Sequence, residues 1–361
     1  MPTALVTGAA GFIGSHLSEA LLDRGYRVRG VDTFETGRRR NLESLVERPE
    51  FSIEEVDIRD RTRVAELTDG VEFVFHEAAV ASVPRSVEEP VTATATNCTG
   101  TAIVLDTARE AGVDTVVVAS SSAVYGSTER LPKVESMPVQ PESPYALSKH
   151  YTEELALQFS QFHQMDTVAL RYFNVFGPRQ DPTGDYAAVV PKFVDLMTDG
   201  DRPVIYGDGK QSRDFVYIDD VVRANVLAAE SDASGVVANV ASGERVSING
   251  LVTQLNNVLD TEIELHGWNL QRFIGSDGLK GSNPTAIEFC ASPERYYMDN
   301  TAAPYMETMC EHAYEQFKPY ALMNHYRSLA ASNYGKYIEG DYKLTSDTSW
   351  GDLMYPADPS W

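Results

Sequence analysis

The 361-residue chain carries 30 Lys plus Arg against 53 Asp plus Glu, a net charge of −23, and 43% of its residues are hydrophobic. That supplies a sizeable core, and the length fits two domains or one domain with an appended lobe. The acidity argues against nucleic acid and anionic membranes as partners, no apolar run reaches the ~18–20 residues that span a bilayer, and three dispersed cysteines (Cys98, Cys290, Cys310) make neither a disulfide framework nor a zinc site.

Residues 3–7 read as a first core strand, where a signal peptide would place a longer apolar run, so a cytoplasmic protein is expected. Helical periods follow at 13–24, 61–67, 93–111 and 145–162, and β-branched runs at 28–31, 51–56, 71–75 and 115–119. This alternation predicts an α/β fold, a doubly wound parallel sheet covered on both faces, with a smaller C-terminal substrate-binding lobe. The composition changes near residue 260. None of the 36 Val lies beyond residue 258, whereas the last 95 residues hold 10 of the 18 Tyr and all three Trp. A shift of this kind marks a boundary or a segment of different origin. His266, His312 and His325 form no metal-ligand spacing, and no metal is expected.

The first strand runs into Thr7-Gly8-Ala9-Ala10-Gly11-Phe12-Ile13-Gly14. In such a loop Gly8 permits the tight turn, Gly11 lets backbone approach a pyrophosphate, and Gly14 lets the helix pack on the strand. The helix N-terminus then faces the phosphates. A lone glycine motif is common, but Asp32 ends the next strand 24 residues after Gly8. A carboxylate there accepts both ribose hydroxyls of NAD and repels the 2′-phosphate of NADP. Arg38, Arg39 and Arg40 would favour NADP, yet they come later in the loop. Asp57 and Ile58 are placed to flank the adenine, and Ala78 and Ala79 are small enough for the cofactor to cross the sheet edge.

The strand ending at 119 leads into Ser120-Ser121-Ser122, and Tyr145-x-x-x-Lys149 follows. On a helix, positions i and i+4 share a face. Tyrosine, with a pKa of ~10, is a poor base at neutral pH. A neighbouring ammonium and a positively charged nicotinamide both favour the phenolate, and a drop of ~3 units corresponds to ~4 kcal/mol. Alone, this pair is more often a surface accident. Its place after the glycine loop, the strand-end acid and the serines reverses that reading.

With these motifs, the sequence resembles the extended short-chain dehydrogenase/reductase superfamily, and within it the nucleotide-sugar 4-epimerases of the UDP-glucose and UDP-N-acetylglucosamine type. The likeness continues through 170–177 (Leu-Arg-Tyr-Phe-Asn-Val-Phe-Gly), 206–209, 212–215 and 217–221, and covers about residues 3–258. It implies a Rossmann-type NAD domain over 1–175, to which 216–242 returns, a substrate lobe over 176–265 and an atypical tail over 266–361. It implies NAD contacts at Gly8, Gly11, Phe12, Ile13, Gly14, Asp32, Thr33, Phe34, Gly37, Asp57, Ile58, Ala78, Ala79, Asn97, Ser121, Tyr145, Lys149 and Phe173. It implies catalysis by Ser121, Tyr145 and Lys149, and a UDP-sugar held by Ser121, Ser122, Tyr145, Asn174, Ala188, Val189, Tyr206 and Arg213. Tyr145 would take the proton of the sugar 4-hydroxyl as a transient 4-keto sugar forms.

Resembling dehydratases and decarboxylases carry acidic residues just before Val-Tyr-Gly. Here Ser122-Ala123 stand there, which favours epimerisation over dehydration; another nucleotide-sugar modification of the same superfamily and a non-catalytic NAD-binding role are the alternatives, the latter opposed by intact Ser121, Tyr145 and Lys149. The family's Arg-Pro-Gly-Asp segment, which grips the diphosphate, has no counterpart after residue 258. The helices over 93–111 and 145–162 resemble those of the family's dimer contact, so a homodimer is expected.

Overall fold

The computed structural model describes residues 1–263 and 266–268, apart from Glu129, residues 183–187 and Gly207; for Tyr206 and residues 266–268 it describes backbone alone. The tail beyond 268, with its histidines and arginines, lies outside the described residues.

The chain opens with β1 (Thr3–Thr7), α1 (Phe12–Asp23), β2 (Arg27–Asp32), β3 (Phe51–Glu55), α2 (Arg61–Thr68) and β4 (Phe73–His76). Then come α3 (Val83–Glu88), α4 (Pro90–Thr94), α5 (Thr101–Ala111), β5 (Thr115–Ser121), α6 (Pro144–His163) and β6 (Asp166–Tyr172). The remainder comprises β7 (Asn174–Phe176), α7 (Val189–Thr198), β8 (Val204–Tyr206), β9 (Ser212–Arg213), β10 (Phe215–Tyr217), α8 (Ile218–Glu230), β11 (Val236–Val240), β12 (Val246–Ser247), α9 (Ile248–Leu259) and β13 (His266–Trp268).

Seven strands form one parallel sheet in the order β3-β2-β1-β4-β5-β6-β11. The doubly wound sheet read from the sequence is therefore what the chain builds. The order in which the chain adds strands reverses between β1 and β4, where it crosses from β3 at one edge back to the other side of β1, and a crevice opens outside the carboxyl ends of strands at such a switch. β1 is buried along its whole length, because apolar layers cover both faces. On one face Leu17 and Leu21 of α1 meet Val221 and Val226 of α8; on the other Val64 of α2 meets Val104 and Leu105 of α5. Each such side chain contributes ~1.5–3 kcal/mol of burial.

The predicted helix over 93–111 is shorter and interrupted. A widened turn over Ala95–Gly100 separates α4 from α5, and Gly112 ends α5 in the left-handed conformation (φ 70°). That turn carries Asn97 inward, as described below. Helix α6 starts where Ser143 accepts the Ala146 N–H at 3.1 Å and Pro144 takes the first position, where its missing donor costs nothing.

The chain divides into two units. The first spans 1–203 and 210–265; the second spans 204–209 and 266–361, and its described part is the parallel pair β8–β13. Among the described residues no helix is long and apolar enough to cross a membrane.

Candidate active site

The glycine loop is fixed by β2. Gly8 N–H donates to the Val31 carbonyl at 2.8 Å and Gly11 N–H to the Gly8 carbonyl at 3.0 Å. Gly8 sits at φ +70°, and a Cβ there would lie 2.8 Å from the Ala78 nitrogen. One on Gly14 would lie 2.2 Å from the Gly8 carbonyl oxygen. Only glycine fits either position. Gly11 offers no side-chain cap to α1, and its first turn holds no acidic residue. The helix thus presents free N–H groups and its positive end to the crevice.

Asp32 closes the same loop from below. Its Oδ2 accepts the Ala10 N–H at 2.9 Å and its Oδ1 the Phe34 N–H at 2.8 Å. Burial pushes its carboxyl upward, and the amides of Phe34, Ala10, Gly11 and Thr33 oppose that. A Cβ on Gly37 would lie 2.6 Å from Asp32 Oδ1, so this carboxylate is gripped from both sides. Two of the nearby arginines are occupied: Arg38 pairs with Asp181 at 2.8 Å, and Arg39 pairs with Glu55 at 2.6 Å while lying 3.8 Å over the Phe34 ring. Asp57 holds Arg59, which keeps its carboxyl below the usual range, and Ile58 is buried against Gly100.

Ala78 and Ala79 are half-buried at the β4 end, where Ala78 N–H donates to Thr7 Oγ1 at 3.2 Å. Asn97 is buried beside them. Its Oδ1 accepts the Val80 N–H at 2.8 Å, and its Nδ2 donates to the Val80 carbonyl at 3.2 Å and to Ser148 Oγ at 2.9 Å. Its amide therefore ties the 78–80 loop to α6. His76 is buried between Thr7 Oγ1 (2.8 Å) and Thr101 Oγ1 (2.9 Å), and burial, with the Lys149 charge adding, pushes it down to about 3.

The structure brings Ser121 and Tyr145 together. Ser121 ends β5 and its Oγ accepts the Ala123 N–H at 3.1 Å; its hydroxyl is near enough to Tyr145 to favour the ionised phenol. Lys149, one turn on, is buried, and its Nζ donates to the Ala119 carbonyl at 2.9 Å. Burial pushes this ammonium down to about 8, opposed by the charges of Glu77, Glu153 and Cys98.

The phenol departs from the sequence expectation. In the protein by itself Tyr145 lies above its ordinary range, because burial dominates and the Glu77 charge adds to it, with Ser121 opposing. Glu77 was not legible from the sequence as a site residue. It follows β4 directly, its Oε1 accepts the Tyr172 hydroxyl at 2.7 Å, and burial pushes it up to about 7 against Tyr172 and Lys149. A strand-end residue of the type His-Glu-Ala-Ala carries no spacing signal of its own.

The residues expected on the substrate side are held more loosely. Ser122 begins a tight turn over Ser122–Tyr125, and Phe173 follows β6 with its ring 6.5 Å from that of Tyr125. Asn174 is the first residue of β7 and its Nδ2 donates to the Asp214 carbonyl at 3.0 Å, which sets it beside the Arg213 segment. Arg213 itself is exposed, with its Nη1 donating to the Ser212 carbonyl at 3.0 Å. Ala188 and Val189 open α7. Tyr206 belongs to β8 in the second unit, and its side chain lies outside the described residues. Among the described residues no group of three or more His, Cys, Asp or Glu is placed to hold a metal ion.

A glycine-lined helix N-terminus, a strand-end Asp and a Ser–Tyr–Lys constellation on a parallel sheet together define a dinucleotide-dependent enzyme of the short-chain dehydrogenase type. The chain belongs to the NAD dependent epimerase/dehydratase family, whose model matches residues 4–241. It is 40% identical over 253 residues to a UDP-glucose 4-epimerase of Mycolicibacterium smegmatis, covering 70% of this chain and 80% of the relative. It is also 34% identical over 259 residues to a UDP-N-acetyl-alpha-D-glucosaminuronate decarboxylase of Bacillus cytotoxicus, covering 70% and 79%. Among solved structures, the UDP-N-acetylglucosamine 4-epimerase of Methanobrevibacter ruminantium M1 in complex with UDP-N-acetylmuramic acid matches with TM-score 0.71 and 39% identity, over 74% of this chain and 85% of that one. The UDP-glucose 4-epimerase of Thermus thermophilus in complex with NAD matches with TM-score 0.66 and 35% identity, over 73% and 85%. Residues 250–350 match a different model, that of the RNA repair pathway DNA polymerase beta family. The epimerase model thus stops at residue 241 and the second begins at 250, just ahead of the point, after Val258, where valine disappears from the sequence.

Proposed function

We propose that this enzyme is an NAD-dependent UDP-hexose 4-epimerase. The observation that carries the reading is the nearness of Tyr145 to Ser121 at the end of β5, with Lys149 one helical turn away and Ser122-Ala123 where a dehydratase would need acids. The names of the relatives support a UDP-sugar as substrate, and the engaged state of Arg38 and Arg39 supports NAD over NADP.

The cradle fits that cofactor. Gly8, Gly11 and Gly14 with the α1 N-terminus would hold its pyrophosphate, Asp32 its adenosine ribose, and Lys149 its nicotinamide ribose. NAD, when bound, supplies reversible redox chemistry at the sugar C4. Tyr145 takes the proton of the 4-hydroxyl and later returns it, while Ser121 holds the oxygen at C4 by hydrogen bonding. The desolvated phenol is by itself a weak acid; a positively charged nicotinamide beside it supports the phenolate the reaction needs. Asn174 and Arg213 approach the diphosphate, with Ser122, Ala188 and Val189 around the sugar and base. The remaining NAD contacts are those expected at Phe12, Ile13, Thr33, Phe34, Gly37, Asp57, Ile58, Ala78, Ala79, Asn97 and Phe173.

A homodimer belongs to the same proposal. Leu147 and Tyr151 of α6 and Val87 and Val91 of α3 and α4 are exposed apolar residues on neighbouring helices, which a second copy would cover.

The test is interconversion of UDP-glucose and UDP-galactose by the purified protein without added cofactor. Tyr145→Phe is expected to lower the rate roughly 10²–10⁴-fold while bound NAD stays. Unchanged UDP-glucose, UDP-N-acetylglucosamine and UDP-glucuronate in a preparation that retains NAD would refute the reading. A change in product mass would instead identify another nucleotide-sugar modification.

A further inference from the structure

One histidine joins the elements that meet beneath the crevice. Thr7 ends β1 and His76 ends β4, and the two are paired across the parallel sheet. Thr101 opens α5, just after the widened turn that carries Asn97. Thr7, His76, Asn97 and Thr101 are all buried, so their polar atoms have to find partners within the protein.

Counting hydrogens leaves this imidazole one state. Thr101 has a single hydroxyl hydrogen. The Asn97 carbonyl lies 2.5 Å from its Oγ1 and can only accept, so that hydrogen goes there. Thr101 Oγ1 then accepts from His76 Nε2 at 2.9 Å, and Nε2 carries a proton. At the other end Thr7 Oγ1 accepts the Ala78 N–H at 3.2 Å and lies 2.8 Å from His76 Nδ1. The Thr7 hydroxyl hydrogen is directed to that nitrogen, which is bare. A doubly protonated ring would aim a second donor at Thr7 Oγ1 and deprive the hydroxyl hydrogen of its acceptor. Burial and the Lys149 charge oppose that form as well.

The bonds therefore all run one way: from Ala78 N–H to Thr7, from Thr7 to His76, from His76 to Thr101, and from Thr101 to Asn97. Asn97 completes the circuit, because its side chain holds both the N–H and the carbonyl of Val80. The loop over 77–80 is gripped at Ala78 from one side and at Val80 from the other, and the ring stands between the two grips.

We propose that His76 is a positioning residue of the dinucleotide crevice: as a neutral Nε2–H imidazole it couples the 77–80 loop to the turn bearing Asn97, and so sets the surface over which the cofactor crosses the sheet edge. This rests on the reading of Ala78, Ala79 and Asn97 as cofactor contacts. Imidazole suits the place because it presents a donor and an acceptor on two separate ring atoms. The amide of a glutamine carries both on one carbon and is expected to reach only one of the two threonines.

The experiment reads the tautomer and the cofactor separately, in the full chain. Histidine ring nitrogens are isotope-labelled and read by NMR at neutral pH, and the His76 signals are assigned by their loss in His76→Gln. The expected pattern is a bare Nδ1 and a protonated Nε2. Thr101→Val removes the hydroxyl with little change in volume. In it the ring is expected to leave the pure Nε2–H form, and bound NAD to be released about tenfold faster, the effect of about one hydrogen bond. Thr101→Ser keeps the hydroxyl and restores both. A role in the fold alone would lower the melting temperature of Thr101→Val and leave the release rate at the parent value. A protonated Nδ1 in the parent overturns the proposal, as does unchanged NAD release in folded Thr101→Val and His76→Gln. A parent with the expected tautomer that takes up no NAD would overturn the dinucleotide reading itself, and this role with it.

Discussion

Two carboxylates, Glu153 fully buried on helix α6 and Glu77 half-buried after β4, lead opposite lives. Glu153 has a neighbour of full opposite charge. Arg171 reaches it through Nε and Nη2, each at 2.8 Å, and Ser120 Oγ adds a third hydrogen bond. The network runs on from Arg171 Nη1 to the Tyr125 hydroxyl at 2.9 Å, and from there to Asn239 Oδ1 at 2.7 Å. Against the burial that opposes it, Arg171 is held firmly protonated by Glu153 and Tyr125. Glu77 has neutral donors, and burial brings it to about 7. The partner, and not desolvation alone, decides what such an acid does. A matched charge makes a strut, and an unmatched one makes a group that answers to pH.

Breaking the strut should be the largest structural effect. Arg171→Ala leaves Glu153 buried without its partner and removes the guanidinium that lies 4.8 Å from the Tyr125 ring centroid. The expected loss is about 3–5 kcal/mol, read from denaturant unfolding. A loss under about 1 kcal/mol would mean that Glu153 is no strut, and the contrast with Glu77 would fail.

The adjacent residues His76 and Glu77 sharpen the comparison through pH. His76 titrates near 6.5 when unfolded and about 3 when folded, so its contribution is present above 6.5 and is lost as pH falls. Glu77 moves from 4.5 to about 7, so its contribution is present below 4.5 and is lost as pH rises through 7. Between pH 6.5 and 4.5 each is worth at most about 2–3 kcal/mol, with opposite sign. Relative to the parent, His76→Asn should therefore gain stability on acidification over that range and Glu77→Gln should lose it. Melting curves at three or four pH values check this, and parallel slopes in all three proteins would contradict it.

What the sequence made legible was short-range. The β-branched runs and the glycine spacing pointed to the sheet, its direction and the Gly8–Gly14 turn, because those depend on local periodicity and steric need. Tyr145 and Lys149 were legible because helical spacing puts them on one face. Glu77 was not, since its meaning depends on Tyr172, 95 residues along the chain, and on Asn225, a further 53 beyond that. The same holds for the Glu153–Arg171 pair, which joins α6 to β6. Nor did the sequence show that burial would raise the phenol, because desolvation belongs to the packed state. The break at Ala95–Gly100 was hidden for a similar reason: Asn97 turns inward to bond Val80, a contact no periodicity encodes.

The smallest expected effect tests whether burial, and not the count of ion pairs, separates the strut from the rest. Arg48 pairs with Asp23 at 2.6 Å, shorter than the 2.8 Å of Arg171 to Glu153, but the two side chains are 33% and 64% exposed. Water and salt screen this contact, and ordering two long side chains offsets much of what remains. Arg48→Ala should cost about 0.2–1 kcal/mol, and less at high salt. Arg171→Ala should keep its full cost at high salt, because its partners are buried away from ions. A double comparison at low and high ionic strength therefore separates the two. Equal costs for Arg48→Ala and Arg171→Ala at high salt would show that distance, not desolvation, governs ion pairs in this protein, and the distinction between Glu153 and Glu77 would have to be drawn on other grounds.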